Sequence, residues 1–246
     1  MKFISVLNQK GGCGKTSLAV LIILALSSTG KKVLAIDCDP QGGLTAFLLP
    51  PDKSFFGLFE LIGGFKKLDE VIYKTSRGGM EIEIIPSDYK LDSIAPTLDP
   101  YALKRLFKNL KGYDYVIFDN PPTVQGISRA SSILADEIYI PADISAPTLG
   151  PTKYTIKALE DVDKKGKVIL IGYKEPKDEN KGFMAELSRR FIDSLNGHYV
   201  GTVPKTITSA RAIADPSVKW TASKIESLLE PLLDIMEVRR NERKAV

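Results

Sequence analysis

Seven short apolar runs, FISVLN, KVLAID, IEIIPS, YDYVIFD, EIYIPA, KVILIGY and YVGTVP, recur along the chain, most of them separated by stretches long enough for a helix. This is the rhythm of a parallel sheet, because parallel neighbours need a crossover and a helix commonly supplies it. The runs are apolar on both faces, which predicts an α/β fold with a doubly wound, mostly parallel sheet and helices on either side. A chain of 246 residues, 43% hydrophobic and 26% charged, can bury most of its apolar surface in one core. No repeat, low-complexity tract or linker marks a second unit, so residues 1–246 are expected to form one domain.

Two stretches break the rhythm. Residues 48–79, rich in glycine and aromatics, predict short helices or a small peripheral excursion, and YKEPKDENKG at 173–182 reads as a polar loop. The chain closes in a helical pattern, about 221–243, in which Ile225, Leu228, Leu229, Leu232, Leu233 and Met236 share a face. Pro231 inside it is expected to kink or restart the helix.

Several classes are disfavoured. Cys13 and Cys38 are the two cysteines and have no paired spacing, which argues against a disulfide framework, a zinc ribbon or a cysteine-held iron–sulfur cluster and fits a reducing cytoplasm. The apolar run LAVLIILAL at 18–26 is too short to span a bilayer and lacks the layout of a secretion signal. A net charge of +4 is mild, so nucleic-acid binding would need a local basic surface.

The chemistry begins at NQKGGCGKTS, Asn8 to Ser17. A glycine-rich turn between an apolar strand and an apolar helix aims backbone N–H groups and a helix N-terminus at one spot, which suits nucleotide phosphates. The candidate phosphate contacts are Lys10, Gly11, Gly12, Cys13, Gly14, Lys15, Thr16 and Ser17. Lys15 would neutralise phosphate charge and Thr16 would offer its hydroxyl to magnesium. The usual pattern has a glycine five positions before Gly14; here that residue is Gln9, and Lys10 beside it is a surplus charge. The bland alternative is an ordinary strand-to-helix turn with a solvated lysine.

Carboxylates follow at strand ends, the edge where ligands bind open parallel sheets. In IDCDPQGG, Asp37 and Asp39 stand two apart; they would serve a metal and a water, or else merely form a turn before Pro40. In YDYVIFDNPP, Asp119 closes an apolar strand and is placed to hold magnesium through its waters.

Taken together, KGGCGKTS, DCDPQGG and VIFDNPP resemble the deviant phosphate loop and two switch segments of the ParA and MinD type ATPases, a P-loop NTPase class, and most closely the ParA group that partitions plasmids and chromosomes. The resemblance implies ATP and Mg2+ as cofactors and a nucleotide-sandwich dimer. Lys10 matches the signature lysine that reaches the partner's ATP, Lys15 and Thr16 the phosphate lysine and magnesium hydroxyl, and Asp39 the residue associated with the attacking water. Lys10, Lys15 and Asp39 are therefore the catalytic candidates; Thr16, Asp37 and Asp119 are the metal candidates. GTVPKTITSARA resembles the segment that packs on adenine, which nominates Val203 and Pro204. Cys13 and Asn120 replace residues usual in the family but are compact, and no loss of chemistry is expected; Cys13 reads as a small filler rather than a reactive thiol.

The same resemblance implies nonspecific DNA binding by late basic residues, with Lys205, Arg211, Lys219, Lys224, Arg239, Arg240 and Arg243 as candidates. The expected protein is cytoplasmic and nucleoid-associated, hydrolyses ATP slowly alone, and is stimulated by a ParB-like or adaptor partner. The alternatives are a MinD-like membrane-associated ATPase and a ParA-like ATPase positioning a cargo other than DNA. Membrane attachment is disfavoured because the apolar residues of the terminal helix precede its basic end.

Overall fold

A computed structural model of the chain describes residues 1–171, 183–203 and 222–238. The apolar runs form strands β1 (Lys2–Val6), β2 (Val33–Asp37), β4 (Met80–Ile85), β5 (Tyr115–Asp119), β6 (Glu137–Ala142), β7 (Gly166–Ile171) and β8 (Tyr199–Val203). They join β3 (Tyr73–Arg77) in an eight-stranded sheet of order β3-β4-β2-β5-β1-β6-β7-β8. Every neighbouring pair is parallel except β3 with β4.

Helices connect the strands: α1 (Lys15–Ser28), α2 (Gly43–Leu48), α3 (Leu58–Ile62), α4 (Ala102–Leu106), α5 (Ile127–Leu134), α6 (Ala146–Glu160), α7 (Phe183–Asp193) and α8 (Ala222–Ile235). Alternation along each strand divides the core. Val33, Ala35, Ile117 and Tyr139 join α1 and α8 on one face. Leu34, Ile36, Val116 and Phe118 pack with α4 and α5 on the other, and Ile138, Ile140, Val168 and Leu170 with α6 and α7. This two-sided burial is what continuous apolar runs predict.

The helix LAVLIILAL is central rather than exported. Residues Leu18 to Ser27 of α1 are all buried, between the sheet and Leu229, Leu232 and Leu233 of α8. A helix apolar round its whole circumference is stable only when covered on every side. Among the described residues no helix is long and apolar enough to cross a membrane.

Two expectations need revision. The stretch 48–79 contains the short helix α3 but also an antiparallel edge strand, β3, joined to β4 by Gly78 and Gly79 at φ 58° and 80°. Two consecutive positive-φ residues are what a type I′ hairpin turn demands, and a Gly-Gly pair meets that demand without strain. The terminal helix runs without a break across Pro231, which is exposed, as far as Ile235, with Glu237 in the left-handed region at φ 58°; residues 239–243 of the expected span lie outside the described residues. The polar loop expected at 173–182 lies outside the described residues.

Candidate nucleotide and metal site

β1 brings the chain to the carboxyl edge of the sheet, where Asn8 to Gly14 turn into α1. Gly12 and Gly14 make that turn at φ 71° and 93°, a region that side chains resist. A Cβ on Gly14 would also press to 3.1 Å from Ile171 Cδ1 at the end of β7. α1 has no side-chain cap and no acidic residue in its first turn. Its positive end is therefore left uncompensated, which favours an anion.

Lys15 is buried and folds back over the loop, donating to the Lys10 carbonyl at 3.1 Å. The Cys13 thiol donates to the same carbonyl, also at 3.1 Å. Burial holds that thiol above its ordinary pKa despite nearby Lys15, so Cys13 is a filler and not a thiolate nucleophile.

Lys10 points elsewhere. Its Nζ lies 3.3 Å and 3.4 Å from the two oxygens of Asp143 and 3.4 Å from Ser145 Oγ, and it also contacts the Thr148 hydroxyl. Burial would raise the Asp143 pKa, but bonds from Ser145, Thr148 and Lys10 outweigh it and hold the carboxyl below its usual range. The loop is tied to α6 by further hydroxyls. Asn8 donates to Pro141 O at 2.9 Å and Thr152 Oγ1 at 3.1 Å, and the Gln9 amide donates to Thr155 Oγ1 at 3.1 Å. Thr148, Thr152 and Thr155 are all fully buried; their spacing puts them on one stripe of α6.

The carboxylates converge beneath this loop. Asp37 and Asp119 are direct register partners on β2 and β5, and Val6 of β1 flanks Asp119 on its other side. Both aspartates are fully buried. Burial raises the pKa of each, and for Asp119 the charge of Asp37 raises it further. Asp37 is eased back by donors: Thr45 N at 2.8 Å, Thr45 Oγ1 at 2.7 Å and Asp39 N at 3.1 Å. Among the described residues neither Asp119 oxygen has a hydrogen-bond partner, although the Thr16 hydroxyl lies near enough to favour its charged form.

Such a pair fits a cation. Two buried carboxylates side by side, one of them without donors, gain most from a divalent ion that accepts their oxygens. Thr16 is close by, since a Cβ on Gly43 would stand 3.3 Å from its Oγ1. Asp39 is half-buried at the mouth, its carboxylate accepting the Gln41 amide at 3.0 Å.

The structure thus gathers Lys10, Lys15, Thr16, Asp37, Asp39 and Asp119 at one sheet edge. Val203 is different: its side chain is fully buried in the core shared by α1 and α8, so it forms no open wall for a base. Pro204, Lys205, Arg211, Lys219, Arg239, Arg240 and Arg243 lie outside the described residues; Lys224 falls within α8, and its side chain is not among those described. Sequence reasoning missed Asp143, Ser145 and Thr148, the partners of Lys10. It also missed the structural use of Asn120, whose amide donates to Ser5 Oγ at 2.9 Å and accepts from Ser131 at 2.7 Å.

Known proteins resemble the chain in sequence and in fold. The family model for the AAA domain matches residues 1–170. The chromosome partitioning protein ParA of Caulobacter vibrioides is 28% identical over 150 residues, covering 57% of this chain and 55% of the relative. A maintenance of carboxysome distribution protein A from Gloeothece citriformis is 33% identical over 173 residues, covering 68% of this chain and 66% of its own. Among solved structures, an ATP complex of a Cyanothece McdA variant superposes with a TM-score of 0.77 at 25% identity, covering 96% of this chain and 95% of that one. With its first 170 residues matching the AAA domain, and its phosphate loop and strand-end carboxylates set as they are, the chain belongs to the ParA family of P-loop ATPases.

Proposed function

We propose that the protein is a magnesium-dependent positioning ATPase that dimerises around ATP, binds nonspecific DNA in that state, and is released when a partner stimulates hydrolysis. The observation that carries the ATPase part is the meeting of Thr16, Asp37 and Asp119 under an uncapped phosphate loop, with both Asp119 oxygens unpartnered among the described residues. The relatives named for chromosome partitioning and for carboxysome distribution support a role in placing a cargo.

Each residue then has a task. The loop amides and Lys15 would bind the phosphates, and Thr16, Asp37 and Asp119 would hold magnesium. Magnesium, when bound with ATP, supplies positive charge to the phosphoryl oxygens. Asp39 would orient the attacking water. Lys10 would leave Asp143 and meet the ATP of the second subunit, where a cation supplied in trans is worth roughly 10³–10⁵ in rate. Binding, dimerisation and hydrolysis would then be linked through one side chain.

The test is retention on DNA and, separately, on anionic liposomes with ATP, ADP or no nucleotide at several salt concentrations. ATP-dependent DNA retention that falls steeply with salt is expected, because phosphate contacts release counterions. Liposome binding without DNA binding would reject it. A specific second reading, a non-DNA cargo carried by the same ATPase, is favoured by the carboxysome relative and would appear as DNA retention whose release responds to an adaptor that does not itself bind DNA.

A further inference from the structure

The hydroxyl of Thr45, at the start of α2, is committed on two sides. It accepts the Ser87 amide at 2.9 Å, from the loop that leaves β4, and lies 2.7 Å from Asp37 Oδ2. A hydroxyl has one proton to give. Asp37 offers that proton an acceptor, while the Ser87 N–H occupies a lone pair on the oxygen, so the hydroxyl must donate to Asp37.

The Thr45 amide donates to the same carboxylate oxygen at 2.8 Å. The capping position before α2 is Gly42, which has no side chain with which to cap it, and the Asp37 carboxylate fills that place by meeting the third amide of the helix. The intervening loop closes on itself: Asp37 Oδ1 accepts the Asp39 amide at 3.1 Å and the Asp39 carbonyl accepts the Gly42 amide at 2.9 Å. Asp39 is therefore suspended between two ends that both terminate on Asp37.

We propose that Thr45 is a positioning residue of the ATPase site, its hydroxyl locking the Asp37 carboxylate in place and thereby fixing the loop that presents Asp39. The Ser87 amide sets the direction of the lock, which makes the β4 exit loop part of the site's support. This inference rests on the reading of Asp37 as a metal-holding group and of Asp39 as the residue that orients water.

The test compares Thr45→Val, which keeps the shape and removes the hydroxyl, with Thr45→Ser, which restores it. Binding of a fluorescent non-hydrolysable ATP analogue is measured with Mg2+ and with EDTA, alongside kcat and KM for ATP. In Thr45→Val the affinity gained on adding Mg2+ should shrink about tenfold or more, the loss of one hydrogen bond to a charged group. Its kcat should fall by a similar factor, with affinity in EDTA unchanged and Ser87 amide exchange accelerated. Thr45→Ser should return each value to within about twofold of wild type. Wild-type Mg2+ dependence in Thr45→Val, equal impairment of the two variants, or equal loss of affinity in EDTA would each overturn the proposal. Failure of the wild-type protein to turn over ATP would instead reject the ATPase reading, and the binding comparison would still decide the role of Thr45.

Discussion

Asp37 and Asp119 face each other across adjacent parallel strands, both fully buried and both at the carboxyl edge of the sheet. Adjacent like charges in a buried position cost stability unless something of opposite charge joins them. Three groups oppose the strain at Asp37, the Thr45 amide and hydroxyl and the Asp39 amide, whereas among the described residues Asp119 has only the nearby Thr16 hydroxyl to ease its charge.

Asp119→Asn should therefore stabilise the nucleotide-free protein while disabling it. An increase of about 0.5–2 kcal/mol is expected, the usual scale when a site that trades stability for function is neutralised. Urea unfolding without nucleotide measures the gain, and Mg2+-dependent ATP binding measures the loss. A lower urea midpoint in the variant would mean that the Asp119 charge supports the fold.

Lys10→Ala should separate the fold from the switch. Its pair with Asp143 is partly exposed, so removing it should cost no more than about 1 kcal/mol. ATP turnover should fall by roughly 10³ if Lys10 acts in trans. Turnover and sedimentation with ATP are the readouts, and wild-type values in both would show that Lys10 is a surface lysine held by α6.

Asp39→Ala should slow hydrolysis far more than it weakens ATP binding, because Asp39 stands half-buried at the mouth and outside the buried carboxylate pair. A fall in kcat of about 10² or more with a nearly unchanged dissociation constant is expected for loss of a group that positions the nucleophile. Equal losses would place Asp39 with the metal or with the fold.

Acid stability should depend on Glu137, at the opposite edge of the sheet. Burial pushes its pKa up, but bonds from Lys2, Tyr139 and Lys167 prevail and bring it below the ordinary glutamate value. A depressed folded-state pKa contributes stability in full above the unfolded value, about 4.3, and loses it as pH falls through the folded value. Glu137→Gln should cost about 1.5–3 kcal/mol at pH 7, as for hydrogen bonds to a charged group. Chemical unfolding at neutral pH and at progressively lower pH should show that gap narrowing in acid; a gap independent of pH would make Glu137 a packing residue only.

The phosphate loop was legible because its glycines, lysines and threonine are consecutive, and a local motif needs no tertiary information. Asp37 and Asp119 were each legible as strand-end carboxylates. Their adjacency was not, because it depends on β5 inserting beside β2, 82 residues away in the Asp114–Lys32 contact that starts both strands. The resting partner of Lys10 was hidden for the same reason, since Asp143 is 133 residues distant. β3 escaped although its signal was present: Gly78-Gly79 before MEIEII is a hairpin turn, but the aromatic and glycine-rich stretch ahead of it masked the short strand. Pro231 shows the opposite failure. Leu229, Leu232 and Leu233, seated against α1, carry the helix past a residue that propensity alone would use to break it.

The seating of α8 on α1 also limits how this molecule can signal. The leucines that would have to enter a lipid surface already form the outer wall of the helix that starts at the phosphate loop. Releasing three of them would forfeit roughly 5–9 kcal/mol of burial, comparable to the whole stability of many domains. Casting off this helix as a tether would therefore also strip the outer wall from α1. The proposed switch would act instead where the nucleotide sits, at the loop from which α1 starts.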